Sequence, residues 1–255
     1  LVLFINGIAL VTLELKNPWT GQTASYHGIR QYKNDRDPHQ PLLPFARCLV
    51  HMAVDTDEVY MTTKLAGAKT FFLPFNKGNN YGKGNPPNPY GHKTAYLWEE
   101  VFTKNSLANL IQHFVRLDGK PTDILSKRTL FFPRYHQLDV VRKLIDHAAH
   151  HGTGHTYLIQ HSAGSGKSNS ITWAAYQLIE TYPISPQLTG AKDIDSPLFD
   201  SVIVVTDRRL LDKQLRENIR DFSEVKNIIA PAHTSADLRK ALETGKKIII
   251  TTIQK

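Results

Sequence analysis

A chain of 255 residues with 41% hydrophobic side chains has room for one large or two ordinary domains with buried cores, which excludes a chain disordered throughout. Its 31 Lys and Arg against 23 Asp and Glu leave a formal charge of +8, which suits a polyanionic partner without establishing one. The lone cysteine, Cys48, excludes an internal disulfide and suits a reducing cytoplasm, and no segment is long enough to span a bilayer as a helix.

The apolar start is interrupted at Asn6-Gly7 and lacks a basic leader, so it is not a signal peptide. Leu1 to Ile5 and Ile8 to Leu15 are β-rich runs around Asn-Gly, the strongest short hairpin signal. A strand's period of two places Glu14 and Lys16 on one face and Leu13 and Leu15 on the other. In metal-dependent nucleases such a carboxylate helps hold Mg²⁺, while the lysine positions the attacking water and stabilises developing charge. Glu-x-Lys by itself is common, and its plain reading is an exposed charged strand end; here the hairpin and the elements after it favour a site. A metal site needs a second acid, and the position across from Glu14 falls just before Leu1. The chain begins without Met and stops at Lys255 directly after an apolar run, so it reads as a piece of a longer protein.

Gln22, Tyr26, Gln31, Tyr32 and Lys33 follow, then a helix-like apolar run from Leu42 to Val54. Asp57 to Thr63 and Thr70 to Phe75 read as strands. Asn76 to His92, rich in Gly, Asn and Pro, reads as an exposed loop. Thr94 to Val101 and Ser106 to Leu117 look helical, and Asp118 to Lys127 makes a natural domain boundary.

From Arg128 strands and helices alternate. Gln137 lies in FPRYHQ, upstream of a glycine loop, where a glutamine can read the hydrogen-bonding edge of adenine; the alternative is an ordinary helix start. Val140 to Ala149 is a helix with an apolar stripe, and Thr156 to Gln160 is expected as the first core strand. His161 to Ser168 (HSAGSGKS) then forms a phosphate-binding loop before a helix over 170–180. Gly164 and Gly166 bring backbone N–H groups towards phosphate oxygens, Lys167 reaches the β- and γ-phosphates, and Ser168 places its hydroxyl on Mg²⁺. His161 stands where the usual pattern has its first glycine. Pro183 to Phe199 reads as a surface insertion. Ser201 to Thr206 is a buried-type strand with a helix over 208–222, and Lys247 to Thr252 repeats the theme, so a parallel sheet covered on both faces is expected. Thr206, Arg208, Thr251 and Thr252 fall at the carboxyl edge of that sheet, where they suit a DNA phosphate; a helix cap is the plainer role for Thr206. His147, His150, His151, His155 and His161 invite a zinc hypothesis, but no cysteine or closed four-ligand pattern accompanies them.

Taken together these residues resemble the restriction (R) subunit of type I restriction-modification enzymes, a family that joins a PD-(D/E)xK nuclease to a superfamily 2 double-stranded DNA translocase. The resemblance implies an α/β fold: a partial nuclease core with a helical linker over 1–117, then a partial RecA-like P-loop domain over 118–255, its parallel sheet carrying helices on both faces. Glu14 and Lys16, in VTLELKNP, take the places of the nuclease acid and lysine. Tyr32 takes that of the tyrosine in a Gln-x-x-x-Tyr element, with Gly28 standing where its glutamine belongs. Gln137 matches the adenine-reading glutamine, and Ala163, Gly164, Ser165, Gly166, Lys167 and Ser168 match motif I. TDRRLLDKQ matches motif Ia, and ITTIQK the motif after it. The resemblance further implies ATP and Mg²⁺ as cofactors, Glu14 as an Mg²⁺ ligand and Ser168 as a ligand of the nucleotide's Mg²⁺. Its partners would be double-stranded DNA and the specificity and methyltransferase subunits, in the cytoplasm. The nuclease aspartate would precede Leu1, and the Walker B acids would follow Lys255. Two alternatives stay open: a superfamily 2 repair helicase in which Glu14 and Lys16 are incidental, and, for the 255 residues alone, a module that binds DNA and nucleotide without catalysis.

Overall fold

In a computed structural model of the chain, β1 (Val2–Ile5) and β2 (Ile8–Leu15) pair antiparallel around Asn6 and Gly7, both at positive φ as a two-residue turn requires. The structure describes residues 1–120, 122–191, 193–207, 219 and 228–253. Two units divide the chain, Leu1–His136 and Gln137–Lys255. Both mix helices with sheet, and both contain parallel strand pairs.

In the first unit β2 pairs parallel with β3 (Val50–Val54), which pairs antiparallel with β4 (Val59–Thr62), itself antiparallel to β5 (Leu73–Pro74). The sheet runs β1-β2-β3-β4-β5. Parallel neighbours need a crossover, and a helical segment with π-helical turns at Ala24–Gly28 and Gln31–Asp35 supplies it. The helix expected over 42–54 does not form. Every residue of Val50–Val54 is buried, and a strand covered on both faces reads as a continuous apolar run that periodicity cannot tell from a buried helix. Pro41 and Pro44 also deny the stretch before it a helical hydrogen-bond ladder.

The Asn-rich loop is tied down. Asn85, 5% exposed, accepts from the Lys77 N–H and donates to Asn76 Oδ1 and the Asp57 carbonyl. Thr94 to Val101 contributes one π-helical turn, Leu97–Val101, and α1 spans Lys104–His113. Helix does not continue to Leu117: β6 (Arg116–Asp118) pairs antiparallel with β7 (Thr129–Phe131), so 119–128 joins two paired strands.

Most of α2 (Tyr135–His151) lies in the second unit, followed by α3 (Lys167–Leu178) and the single turn α4 (Pro186–Thr189). β8 (Val202–Thr206), β9 (Ile229–Pro231), α5 (Ser235–Glu243) and β10 (Ile248–Thr252) complete it. The three strands are parallel in the order β8-β10-β9. Ile248 and Ile250 pack with Ala175 and Ile179 of α3, while Ile249 packs with Ala241 of α5. Both faces of the central strand are therefore covered. Thr234 caps α5 through a reciprocal capping box with Asp237.

One expected strand is missing. Thr156 to Gln160 carries no strand pairing, and Leu158 is 94% exposed. An apolar run becomes a strand only where a neighbouring edge takes its backbone groups, and none of the described strands does so. The helix expected over 208–222 lies almost wholly outside the described residues.

Candidate functional site

Thr12 and Glu14 of β2, and Lys16 just past its end, fall on one face, and the crossover helix lies against that face. The Glu14 carboxylate takes Lys16 Nζ at 3.3 Å and Arg36 Nη2 at 2.7 Å. Both members of the pair are well covered, with side-chain exposures of 13% for Glu14 and 10% for Lys16. Lys16 Nζ also donates to Gln31 Oε1. The bond to Glu14 holds the Arg36 guanidinium charged even more firmly than usual.

Tyr32 faces the sheet beside this cluster and is 4% exposed. Thr12 Oγ1 joins the Tyr32 hydroxyl at 2.8 Å to His51 Nδ1 at 2.7 Å. Burial pushes the Tyr32 hydroxyl far above its ordinary pKa and pulls His51 down to about 4. Neither group carries charge at neutral pH. Glu14, Tyr32 and Arg36 line a cavity of about 520 Å³.

A hydrated Mg²⁺ is held by one or two carboxylates plus waters and substrate oxygens. Glu14 could serve as one such donor: it borders a cavity of about 520 Å³, and its carboxylate already attracts two cationic side chains. No group of three or more His, Cys, Asp and Glu able to hold a metal ion occurs among the described residues, so the other donors must be water and substrate or lie outside them. Just before β1, Leu1 exchanges backbone hydrogen bonds with Leu13, because a bulge shifts the register between Leu3 and Phe4. The position across from Glu14 is therefore the one immediately before Leu1.

In the second unit the glycine loop leads into α3 with Gly166 as N-cap at φ 82°, without a side-chain cap on the helix start. Gly164 also has positive φ, at 72°. Lys167 Nζ donates to the loop's own carbonyls, His161 O at 3.1 Å and Ser162 O at 2.8 Å. The lysine thus folds back over the cradle a phosphate would fill. Gln137, 3% exposed, donates from Nε2 to the Gly166 carbonyl at 2.9 Å. Ser168 opens α3 one residue after the lysine, and its carbonyl accepts from Thr172. Ala163 is exposed and Ser165 buried in the loop. Burial, then the charge of Lys167, lowers the pKa of His161.

Thr206 and Thr252 sit side by side in register at the carboxyl edge of the sheet, with Thr251 next to them. Thr206 and Thr251 are buried, and their hydroxyls donate to carbonyls of Thr251 and Ala232. Arg208 lies outside the described residues. Of the histidines, His147 and His151 stack with ring centroids 4.1 Å apart, and His147 bonds the Tyr157 hydroxyl at 2.8 Å.

Sequence reasoning missed Thr12, Arg36 and His51 of the first cluster and gave Gln31 no role. The strand's period of two already placed Thr12 on the face of Glu14. Nothing in the sequence marks Gln31 or Arg36, because helix register decides where they point.

An α/β unit carrying a covered Glu-Lys pair is thus followed by a unit in which a glycine loop opens a helix beside a parallel sheet. Residues 1–70 match the family described as "Type I restriction enzyme R protein N terminus (HSDR_N)", and residues 136–255 match "SWI2/SNF2 ATPase". Over 99% of its length the chain is 25% identical to the type I restriction enzyme HindI endonuclease subunit of Haemophilus influenzae, covering 23% of that protein. It is 26% identical over its full length to the putative type I restriction enzyme MjaIXP endonuclease subunit of Methanocaldococcus jannaschii, covering 24% of it. Over its two ends the chain is thus similar to the N terminus of type I restriction enzyme R proteins and to SWI2/SNF2 ATPases, and it spans about a quarter of the length of the curated relatives it matches. No helix among the described residues is long and apolar enough to cross a membrane.

Proposed function

We propose that the chain serves in a restriction subunit that couples ATP-driven translocation of double-stranded DNA to Mg²⁺-dependent endonucleolytic cleavage. The nuclease core, of the PD-(D/E)xK type, lies within residues 1–117, and the first RecA-like motor domain lies within 118–255. The observation that carries this reading is the covered Glu14–Lys16 pair at the end of β2, in the stretch matching the R protein N terminus. An incidental charged strand end would be solvated; this pair is held by Gln31 and Arg36.

In this reading Glu14 holds Mg²⁺, which when bound supplies charge neutralisation and an acidified water. Lys16 Nζ orients the nucleophile and balances charge on the phosphodiester. Tyr32 fixes the helix that brings Gln31 and Arg36 to the pair. In the motor half, Gly164 to Ser168 cradle the ATP phosphates, Lys167 leaves the loop carbonyls for the β- and γ-phosphates, and Ser168 meets the nucleotide's Mg²⁺. Gln137 braces the loop from its adenine side. Thr206, Arg208, Thr251 and Thr252 form a DNA-facing edge. Specificity and methyltransferase subunits supply target reading, and the complex works in the cytoplasm.

Two variants of the whole encoded protein test this together. Lys16→Ala abolishes plasmid cleavage and keeps DNA-stimulated ATP hydrolysis, whereas Lys167→Ala abolishes both. Wild-type cleavage by Lys16→Ala removes the nuclease half of the reading.

A further inference from the structure

We propose that Gln31 is the positioning residue for Lys16 in cleavage, delivered by a π-helical turn because the helix approaches the sheet too closely at Gly28 for a side chain there. The inference rests on the reading above, in which Lys16 serves the nuclease.

The close approach is measurable. A Cβ at Gly28 would lie 2.9 Å from Ala53 Cβ and 3.6 Å from Lys16 Cγ. No glutamine fits at that position without displacing Ala53, although a side chain there would lie against the lysine stem. π-Type hydrogen bonds lie on both sides of Gln31: Gly28 N–H to Thr23 O at 3.1 Å and Ile29 N–H to Ala24 O precede it, and Arg36 N–H to Gln31 O at 3.0 Å follows it. Each π turn takes in one more residue than an α turn and rotates the helix beyond it, which is why such turns recur at functional sites. Here the rotation brings Gln31 onto Lys16 and Tyr32, the next residue, into the buried bond with Thr12. The tyrosine anchor fixes the helix, and the fixed helix aims the amide.

The chemistry suits positioning. A lysine ammonium is a point charge on a flexible four-carbon stem, and one carboxylate does not fix its direction. Glu14 and Gln31 give it two acceptors on different elements. Gln31 is neutral, so it orients Nζ without competing with Glu14 for a cation, and it does not touch the reacting atoms.

The test is Gln31→Met, which keeps the length and removes the amide, beside Gln31→Glu, which restores an acceptor, and Lys16→Ala, all in the whole encoded protein. Three readouts are needed: plasmid cleavage at saturating DNA, DNA-stimulated ATP hydrolysis, and the rate at which acetic anhydride modifies Lys16, measured by peptide mass spectrometry. Gln31→Met is expected to lower the cleavage rate about 10²-fold, the scale of a misplacement near 1 Å. ATP hydrolysis and the thermal midpoint stay at wild-type values, and Lys16 is acetylated several-fold faster. Gln31→Glu recovers slow acetylation, and it recovers cleavage only in part, because its carboxylate competes with Glu14 for the cation. If Gln31→Met cleaves and is acetylated like the wild type while Lys16→Ala is dead, the positioning role is overturned and the nuclease reading stands. If Lys16→Ala cleaves normally, both fall.

Discussion

His51 is 1% exposed and bonded through Nδ1 to Thr12, and burial lowers its pKa from 6.5 to about 4. The unfolded chain therefore binds a proton at this residue between those values while the folded chain does not. Stability contributed by the neutral imidazole is present above pH 6.5 and is lost as pH falls towards 4, by about 3 kcal/mol at most. Denaturant unfolding at pH 7 and pH 4.5 should show that loss in the wild type and a smaller one in His51→Gln; equal losses would contradict it. At Gly166 a methyl group would meet Gln137 Nε2 at 2.5 Å on a backbone at φ 82°. Gly166→Ala is expected to strain the loop by about 1–3 kcal/mol, read as weaker binding of a fluorescent ATP analogue. The turn at Gly166 was legible in the sequence, and the burial of His51 was not. A histidine in an apolar run looks the same whether it faces solvent or a threonine on the neighbouring strand.

The crossover helix packs closely on the sheet of the first unit at Gly28. Gly28→Ala there is expected to cost about 1–3 kcal/mol through overpacking against Ala53, measured as a lower denaturation midpoint. In the second unit β10 is the covered central strand, with Ile249 fully buried between neighbours on the α5 side. Ile249→Ala should destabilise by about 2–5 kcal/mol, whereas truncating half-exposed Ile203 on β8 should cost much less. Elements whose signal is local were readable. Asn6-Gly7 specified its hairpin, and the glycine loop specified the start of α3. Elements decided by neighbours were not: Val50–Val54 became a strand because sheet covers both its edges, and Thr156–Gln160 pairs with none of the described strands.

At the scale of the molecule, a charge of +8 predicts salt-sensitive association with DNA. Each phosphate contact should add roughly 0.9 to the slope of log affinity against log salt, measured by fluorescence anisotropy with a labelled duplex. A slope near zero would remove the backbone-binding role of this chain. The sequence by itself determined the order of the two units, the loop that marks the second, the hairpin that opens the first and the pair at its end. Each rests on residues a few positions apart, where backbone preference and strand period suffice. Tertiary structure alone decided that Gln31 rather than residue 28 meets Lys16, that Arg36 holds Glu14, and that Gln137 braces Gly166. Those contacts join segments far apart in sequence, and the close approach of helix to strand, which no local propensity encodes, sets which side chains fit.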